Sequence, residues 1–469
     1  MKRHVMLSLV IFALLVPNLL ADDVLKHWHQ FRGPTGNGVA PEAKPPIKWS
    51  PADAKWKTPI EGIGISTPII WGDKIFLLSA IQTDRVQDAA DADSRQGDAG
   101  GDAEQRDQRR GRERAGGGGG GGRQGGRGGG GAAPRNYHQF VVICLDRNTG
   151  EQVWKTVVNE AVPHESGHQT NTFASGSPTT DGTHVWASFN SFGVFCLDME
   201  GNVKWERQLG KMRTRAGFGE GASPTLYNDT LIINWDHEDD SFIEAMDALT
   251  GETKWKTARQ EATTWSTPLV VEHAGRVQVI TNGSTRVRSY DFATGELIWE
   301  CGGQTGNPIP SPMVLDDMAI CMTGFRAQAA VAVPLDSQGD VTNSDKLIWS
   351  RKDIGAYVPT GVLYQGVIYA TKESQGILTS IDAKTGTTII PQTRLPGIQT
   401  LYASLVAANG HVYVTGRDGT TLVIKHGDKF DVVSTNALGE PVDATPAIVD
   451  NQIFIRSHQH LYCFENNED

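Results

Sequence analysis

The sequence predicts an all-β fold: an eight-bladed β-propeller of four-stranded antiparallel blades, closed into a ring by its N-terminal strand. Two phrases alternate along the chain. One is an aspartate, a Thr-Gly turn, an apolar stretch and a tryptophan, as in "YDFATGELIW" (290–299). The other is a Ser or Thr, often before proline, then a strand, a turn and a second strand. A third observation is that apolar residues between the phrases recur with a period of two, and almost nowhere with the period of a helix.

The second phrase occurs eight times, from "ISTPIIWGDKIFLLSA" through "SGSPTTDGTHVWASF", "GASPTLYNDTLIINW", "WSTPLVVEHAGRVQVIT", "PSPMVLDDMAICMTG", "VPTGVLYQGVIYATK" and "ASLVAANGHVYVTG" to "ATPAIVDNQIFIRS". Most copies follow one another at intervals of roughly 45 residues, the length of a four-stranded blade. A blade alone cannot bury both of its faces, so eight stacked around an axis form one core. Residues 22–469 therefore read as a single domain. The chain ends soon after "HLYCFE" without a fourth strand for the last blade, whereas "PIKWSPADAKWKTPI" (46–60) places Trp56 where the repeat tryptophan belongs. The N-terminal strand is expected to complete that blade and remove an open sheet edge.

The tryptophan phrase recurs as "CLDRNTGEQVW", "CLDMEGNVKW", "MDALTGETKW" and, without its tryptophan, "IDAKTGTTII", and a worn copy ends at Trp349. Asp146, Asp247 and Asp291 can accept turn amides in an Asx arrangement. Gly150, Gly251 and Gly295 supply positive φ at little cost. Trp154, Trp205, Trp255 and Trp299 follow on the outer strand, where a flat ring fills the wedge between blades. These ten residues read as structural.

Before the propeller, Lys2 and Arg3, an apolar run and a small residue at Ala21 describe a cleavable leader over residues 1–21. Export to the periplasm or cell envelope is expected, with no transmembrane segment and no lipid-bearing cysteine near the cleavage site. The net charge of -11 becomes -13 once Lys2 and Arg3 are removed, and an acidic surface of that size repels nucleic acid. Cys144, Cys196 and Cys463 share a repeat position with Ala245, Ser289 and Ser380, a slot for a small side chain. Pairing of Cys301 with Cys321 is left open.

Blade one is interrupted at 82–134 by an insertion, first Asp/Ala-rich and then Arg/Gly-rich, expected to be disordered. Its position between strands two and three puts it on the face of the blade-entering loops.

Those loops carry the irregular chemistry. His168, Asn171, Arg213, Arg215, Trp265, Gln304, Tyr357 and Tyr402 should converge near the axis as a ligand funnel, with Glu220 beside them. His164 and His168 have H-x-x-x-H spacing, but Pro, Gly and Ser around them make a loop of it. "WDHEDDSFIEAMD" (235–247) gathers carboxylates, and Asp236, His237 and Asp239 are the candidate cation ligands there.

The Asp-x-x-Thr-Gly-x-x-x-Trp phrases at 146, 247 and 291 resemble the pyrroloquinoline quinone (PQQ) propeller repeat, shared by quinoprotein alcohol dehydrogenases and BamB-like proteins of envelope assembly. "HWHQFRGPTGNGVAP" (27–41) and "IRSHQHLYCF" are similar to exported PQQ-like proteins of planctomycete-type bacteria. For the dehydrogenases the resemblance implies an adjacent Cys-Cys disulfide, calcium held by Glu, Asn and Asp, and a catalytic Asp. No two cysteines here are adjacent, and no C-x-x-C-H for haem occurs.

Two functions follow as expectations. The first is an exported non-catalytic propeller, a monomer with no cofactor, that binds or scaffolds a protein or glycan partner on the funnel face, in envelope assembly. The alternative is a PQQ- and calcium-dependent oxidoreductase acting on an alcohol or sugar, with Asp236 or Glu220 as base.

Overall fold

Strands such as Thr230–Trp235 are buried along their whole length, and Phe242–Asp247 nearly so. A sheet made of them needs cover on both faces, and the ring supplies it. The computed structural model describes residues 24–88 and 132–467. The leader and residues 89–131 of the insertion lie outside the described residues.

Eight antiparallel sheets follow one another along the chain. In blade one the strands run from the axis outward as Ile69–Trp71, Lys74–Val86, Asn136–Asp146 and Gln152–Ala161. The middle strands carry the core, whereas outer strands such as Thr253–Ala258 alternate between exposed and half-buried positions. Blade eight is closed as expected: Trp56–Pro59 pairs antiparallel with His460–Glu465, with Trp56 opposite Cys463.

Two details differ from the sequence reading. The interruption of blade one is shorter than 82–134, because the strands on either side pair as far as Val86 opposite Asn136. Alternation in "IQTDRV" continues the ladder before the polar segment begins. Blade four gains a fifth strand, Gly339–Asp340, parallel to Leu297–Gly302.

The tryptophan phrase is a clasp between blades. Asp146 Oδ1 accepts the amides of Asn148 at 2.8 Å and Thr149 at 2.9 Å, and Asp247 and Asp291 repeat the pattern. Each tryptophan then donates its indole N–H to the turn of the next blade: Trp56 to Arg147 O, Trp154 to Met199 O, Trp205 to Ala248 O, Trp255 to Phe292 O and Trp349 to Ala383 O, at 2.8–3.0 Å. The turn glycine lies under that ring. A Cβ on Gly251 would stand 2.9 Å from Trp205, and one on Gly150 2.6 Å from Trp56. The glycine is thus required twice, for φ near +70° and for the approach of the indole.

Trp299 departs from the pattern. Blade five replaces the Thr-Gly turn by an excursion, and the Trp299 indole donates to Gln278 Oε1 at 3.3 Å while Gln278 Nε2 donates to Leu335 O at 2.9 Å. The side chain of Gln278 relays the clasp.

All five cysteines are buried free thiols, Cys301 and Cys321 included. Cys144, Cys196 and Cys463 each stand opposite a repeat tryptophan. Burial pushes the Cys144 thiol up to about 12, so the small slot is packing beside an indole and not a reactive site.

Candidate functional site

The Ser/Thr of the second phrase sits at the axial start of each innermost strand. Its backbone N–H has no further strand to bond, and the hydroxyl of the following blade accepts it. Thr67 N donates to Ser177 Oγ at 2.9 Å, Ser177 N to Ser223 Oγ at 2.9 Å and Ser223 N to Thr267 Oγ1 at 3.1 Å. Ser311 N, Thr360 N and Ser404 N donate in the same way to Thr360, Ser404 and Thr445 at 3.0–3.1 Å. The proline that often follows brings no N–H that would need a partner.

Inside this belt, and open toward the blade-entering loops, lies a cavity of about 450 Å³. His168, Asn171, Trp265, Tyr357 and Tyr402 line it, joined by Phe31, Phe218, Phe325, Arg326 and Asp443. Three expected residues are not in its wall. Arg213 turns to Asp239 at 2.6 Å. Gln304 Oε1 accepts the Thr323 hydroxyl at 2.9 Å. Arg215 starts a 3-10 turn with Ala216 and Gly217 at positive φ, which leaves the arginine exposed and delivers Phe218 to the wall.

The wall is polar in places but internally bonded. Asn171 Nδ2 donates to Phe218 O and Glu220 O at 2.9 and 3.0 Å, and the Trp265 indole donates to Gly219 O at 2.6 Å. Asp443 accepts from Arg417 at 2.6 Å and lies 3.0 Å from His458 Nε2. Although burial raises the Asp443 carboxyl, bonds from His458 and Arg417 outweigh it and hold the group below its ordinary value. Arg417 also stacks 4.2 Å from the Tyr402 ring.

The floor is the N-terminal segment. Trp28 pairs with Ile70, and His29 O accepts Thr180 N at 3.0 Å. Arg32 is fully buried and donates to Leu405 O at 2.7 Å and to Gly361 O. Asn37 exchanges bonds with Val314, and Val39 pairs with Ala407. One stretch therefore touches the innermost strands of blades one, two, five, six and seven, and Phe31 reaches the cavity from it.

The two candidate bases sit elsewhere. The Asp236 carboxylate is wholly buried against Arg259 at 2.7 and 3.0 Å and also accepts from Asn234 and Thr264. It does not line the funnel, although its loop was expected to open there: the side chain turns inward to neutralise a buried cation. His237 accepts Arg213 N at 3.2 Å, and Asp239 faces the Arg213 guanidinium. Asp236 thus pairs with Arg259 while His237 and Asp239 engage the backbone and guanidinium of Arg213, and among the described residues no three His, Cys, Asp or Glu side chains converge to hold a metal.

Glu220 lines a void of about 20 Å³ beside the funnel, room for one water. Burial pushes its carboxyl up to about 7 against the Ser191 hydroxyl and amide that bond it. His164 Nε2 lies 3.8 Å from it and 2.7 Å from Met212 O, whereas His168 turns to Thr170.

The clasp, the belt and their period decide the family. A family model described as outer membrane protein assembly factor BamB matches residues 138–390. The chain belongs to this PQQ-repeat, BamB-like family. Outer membrane protein assembly factor BamB of Yersinia pestis is 22% identical over 337 residues, 69% of this chain and 79% of that protein. BamB-like architecture is also seen in the BamB structure from Moraxella catarrhalis, with TM-score 0.52 and 14% identity over 70% of this chain and 94% of that one. Quinohemoprotein alcohol dehydrogenase from Comamonas testosteroni is similar over 96% of this chain and 82% of its own, with TM-score 0.57 and 10% identity. At such identities the structures share the fold.

The family takes its repeat name from PQQ, a flat quinone bearing several carboxylates. The funnel offers aromatic faces for a flat ring, but no cysteine lines it, and among the described residues no three His, Cys, Asp or Glu side chains converge on a cation there. The donor set does not fit a quinone held with a divalent cation.

Proposed function

We propose that this BamB-like propeller is an exported, non-catalytic binding module that captures a protein or glycan partner on its funnel face during cell-envelope assembly. The observation that carries the reading is the funnel itself: about 450 Å³ of aromatic-lined space whose wall carboxylate, Asp443, is held by Arg417 and His458. Such a site can bind, and its wall carboxylate is already paired. The name of the family, assembly factor, supports the scaffold role, and the charged and apolar order of residues 1–21 supports export.

The competing reading is a PQQ-dependent oxidoreductase. Purified protein given PQQ, calcium and an alcohol or sugar is expected to leave an artificial electron acceptor oxidised, and to show no PQQ binding by absorbance or calorimetry. Dye reduction that depends on added PQQ would overturn the binding reading. Site-specific photo-cross-linking from Tyr357 and Tyr402 in the native envelope is expected to trap a partner that Trp265→Ala loses.

A further inference from the structure

The funnel is a blind cup. A molecule entering from the loop face meets Phe31, and the segment that carries it is tied to opposite sides of the ring, through Trp28 and His29 to blades one and two and through Arg32, Asn37 and Val39 to blades five to seven.

The wall combines two chemistries. Trp265, Tyr357, Phe325 and Tyr402 present ring faces and edges. Between them, Ser177, Ser223, Thr267, Thr360, Ser404 and Thr445 are each buried, each accept one amide N–H, and among the described residues donate to no acceptor. These hydroxyls line the cavity with their protons uncommitted. An apolar side chain seated there would leave them unpaired at a cost. A sugar ring suits both features, because its C–H faces pack on aromatic rings and its perimeter carries acceptor oxygens. Toward the loops, Arg326 lines the cavity 5.0 Å from the Phe325 ring. That arginine brings a cation to the aromatic mouth of a chain whose net charge is -11.

We propose that the funnel receives the end of an acidic oligosaccharide, to a depth of roughly two sugar residues given a cavity of a few hundred Å³, and that Phe31 sets the depth. The inference rests on the binding reading above and names its ligand class. A closed floor selects chain ends, since a continuous chain has no exit.

Calorimetry of the full chain with galacturonate oligomers of increasing length is the test. Affinity is expected to rise from the monomer to the dimer and then level off, to fall with added salt, and to exceed that for the matching neutral galactose oligomers. Trp265→Ala is expected to weaken the dimer about tenfold. Phe31→Ala is expected to let affinity keep rising with length, and Phe31→Leu, which preserves packing, to keep the plateau. Thermal melts of each variant confirm folding. Affinity that climbs with length in the unaltered chain, or a preference for the neutral oligomers, overturns the inference. If no oligomer binds while Trp265→Ala still loses the cross-linked partner, the sugar assignment fails and the binding reading stands. If Trp265→Ala changes neither measurement, both fail.

Discussion

At the scale of single residues, Asp236 and Glu220 show how burial decides what a carboxylate does. Asp236 and Arg259 have no exposed side-chain surface. Removing one partner leaves a buried charge without compensation, which costs about 3–5 kcal/mol. Asp236→Ala is therefore expected to lower stability by that amount in denaturant unfolding; a change under about 1 kcal/mol, the value of a surface pair, would contradict the assignment. Glu220 has the opposite character. Its folded pKa, near 7, lies above the ordinary 4.5, because desolvation outweighs the bonds from Ser191. Between those values the folded chain holds a proton that the unfolded chain has lost, so the stability contributed by Glu220 is greatest below about 4.5 and is lost as pH rises through about 7. The loss is on the order of 3 kcal/mol. Glu220→Gln, which cannot titrate, is expected to flatten that part of the melting-temperature profile, and an unchanged slope would place the titration elsewhere.

The blade and its clasp are the next scale. Gly251 sits at φ +71° beneath the Trp205 ring. Alanine there meets both the left-handed strain of about 1–2 kcal/mol and an indole that must shift. Gly251→Ala is expected to destabilise by about 2–4 kcal/mol, whereas Gly366→Ala, at φ +79° with open space around it, should cost only the strain. Equal losses at the two sites would remove the clasp from the account. The clasp was legible because its parts stand within one phrase, but its partner was not: each tryptophan was assigned to a wedge, and only the structure shows it bonding to the turn of the following blade. The Ser/Thr-Pro phrase was equally visible as a repeat. Its reason, a hydroxyl accepting the preceding blade's amide, joins residues more than 40 positions apart.

For the whole molecule, closure depends on few contacts. Trp56 docks on the first turn of blade one while its own strand completes blade eight. Trp56→Ala is expected to loosen this one seam, so that the amides of His460–Glu465 lose hydrogen-exchange protection before those of Thr230–Trp235, and self-association through the freed edge appears. Uniform loss across the blades would instead mean that the ring opens nowhere in particular.

Fold, blade number, ring closure and the family were determined by the sequence alone, because each follows from local patterns repeated at a constant interval, and repetition averages out the irregularity of any one copy. The funnel was only half legible. His168, Asn171, Trp265, Tyr357 and Tyr402 line the cavity because blade-entering loops converge by topology, while Arg213 and Gln304 bond to other loop residues and Arg215 stays outside the wall. Phe31 and the floor it forms came only from the tertiary structure. The segment that carries it belongs to no repeat, and the carbonyls that hold Arg32 lie 329 and 373 residues away in sequence. Only the closed ring brings them within hydrogen-bond reach.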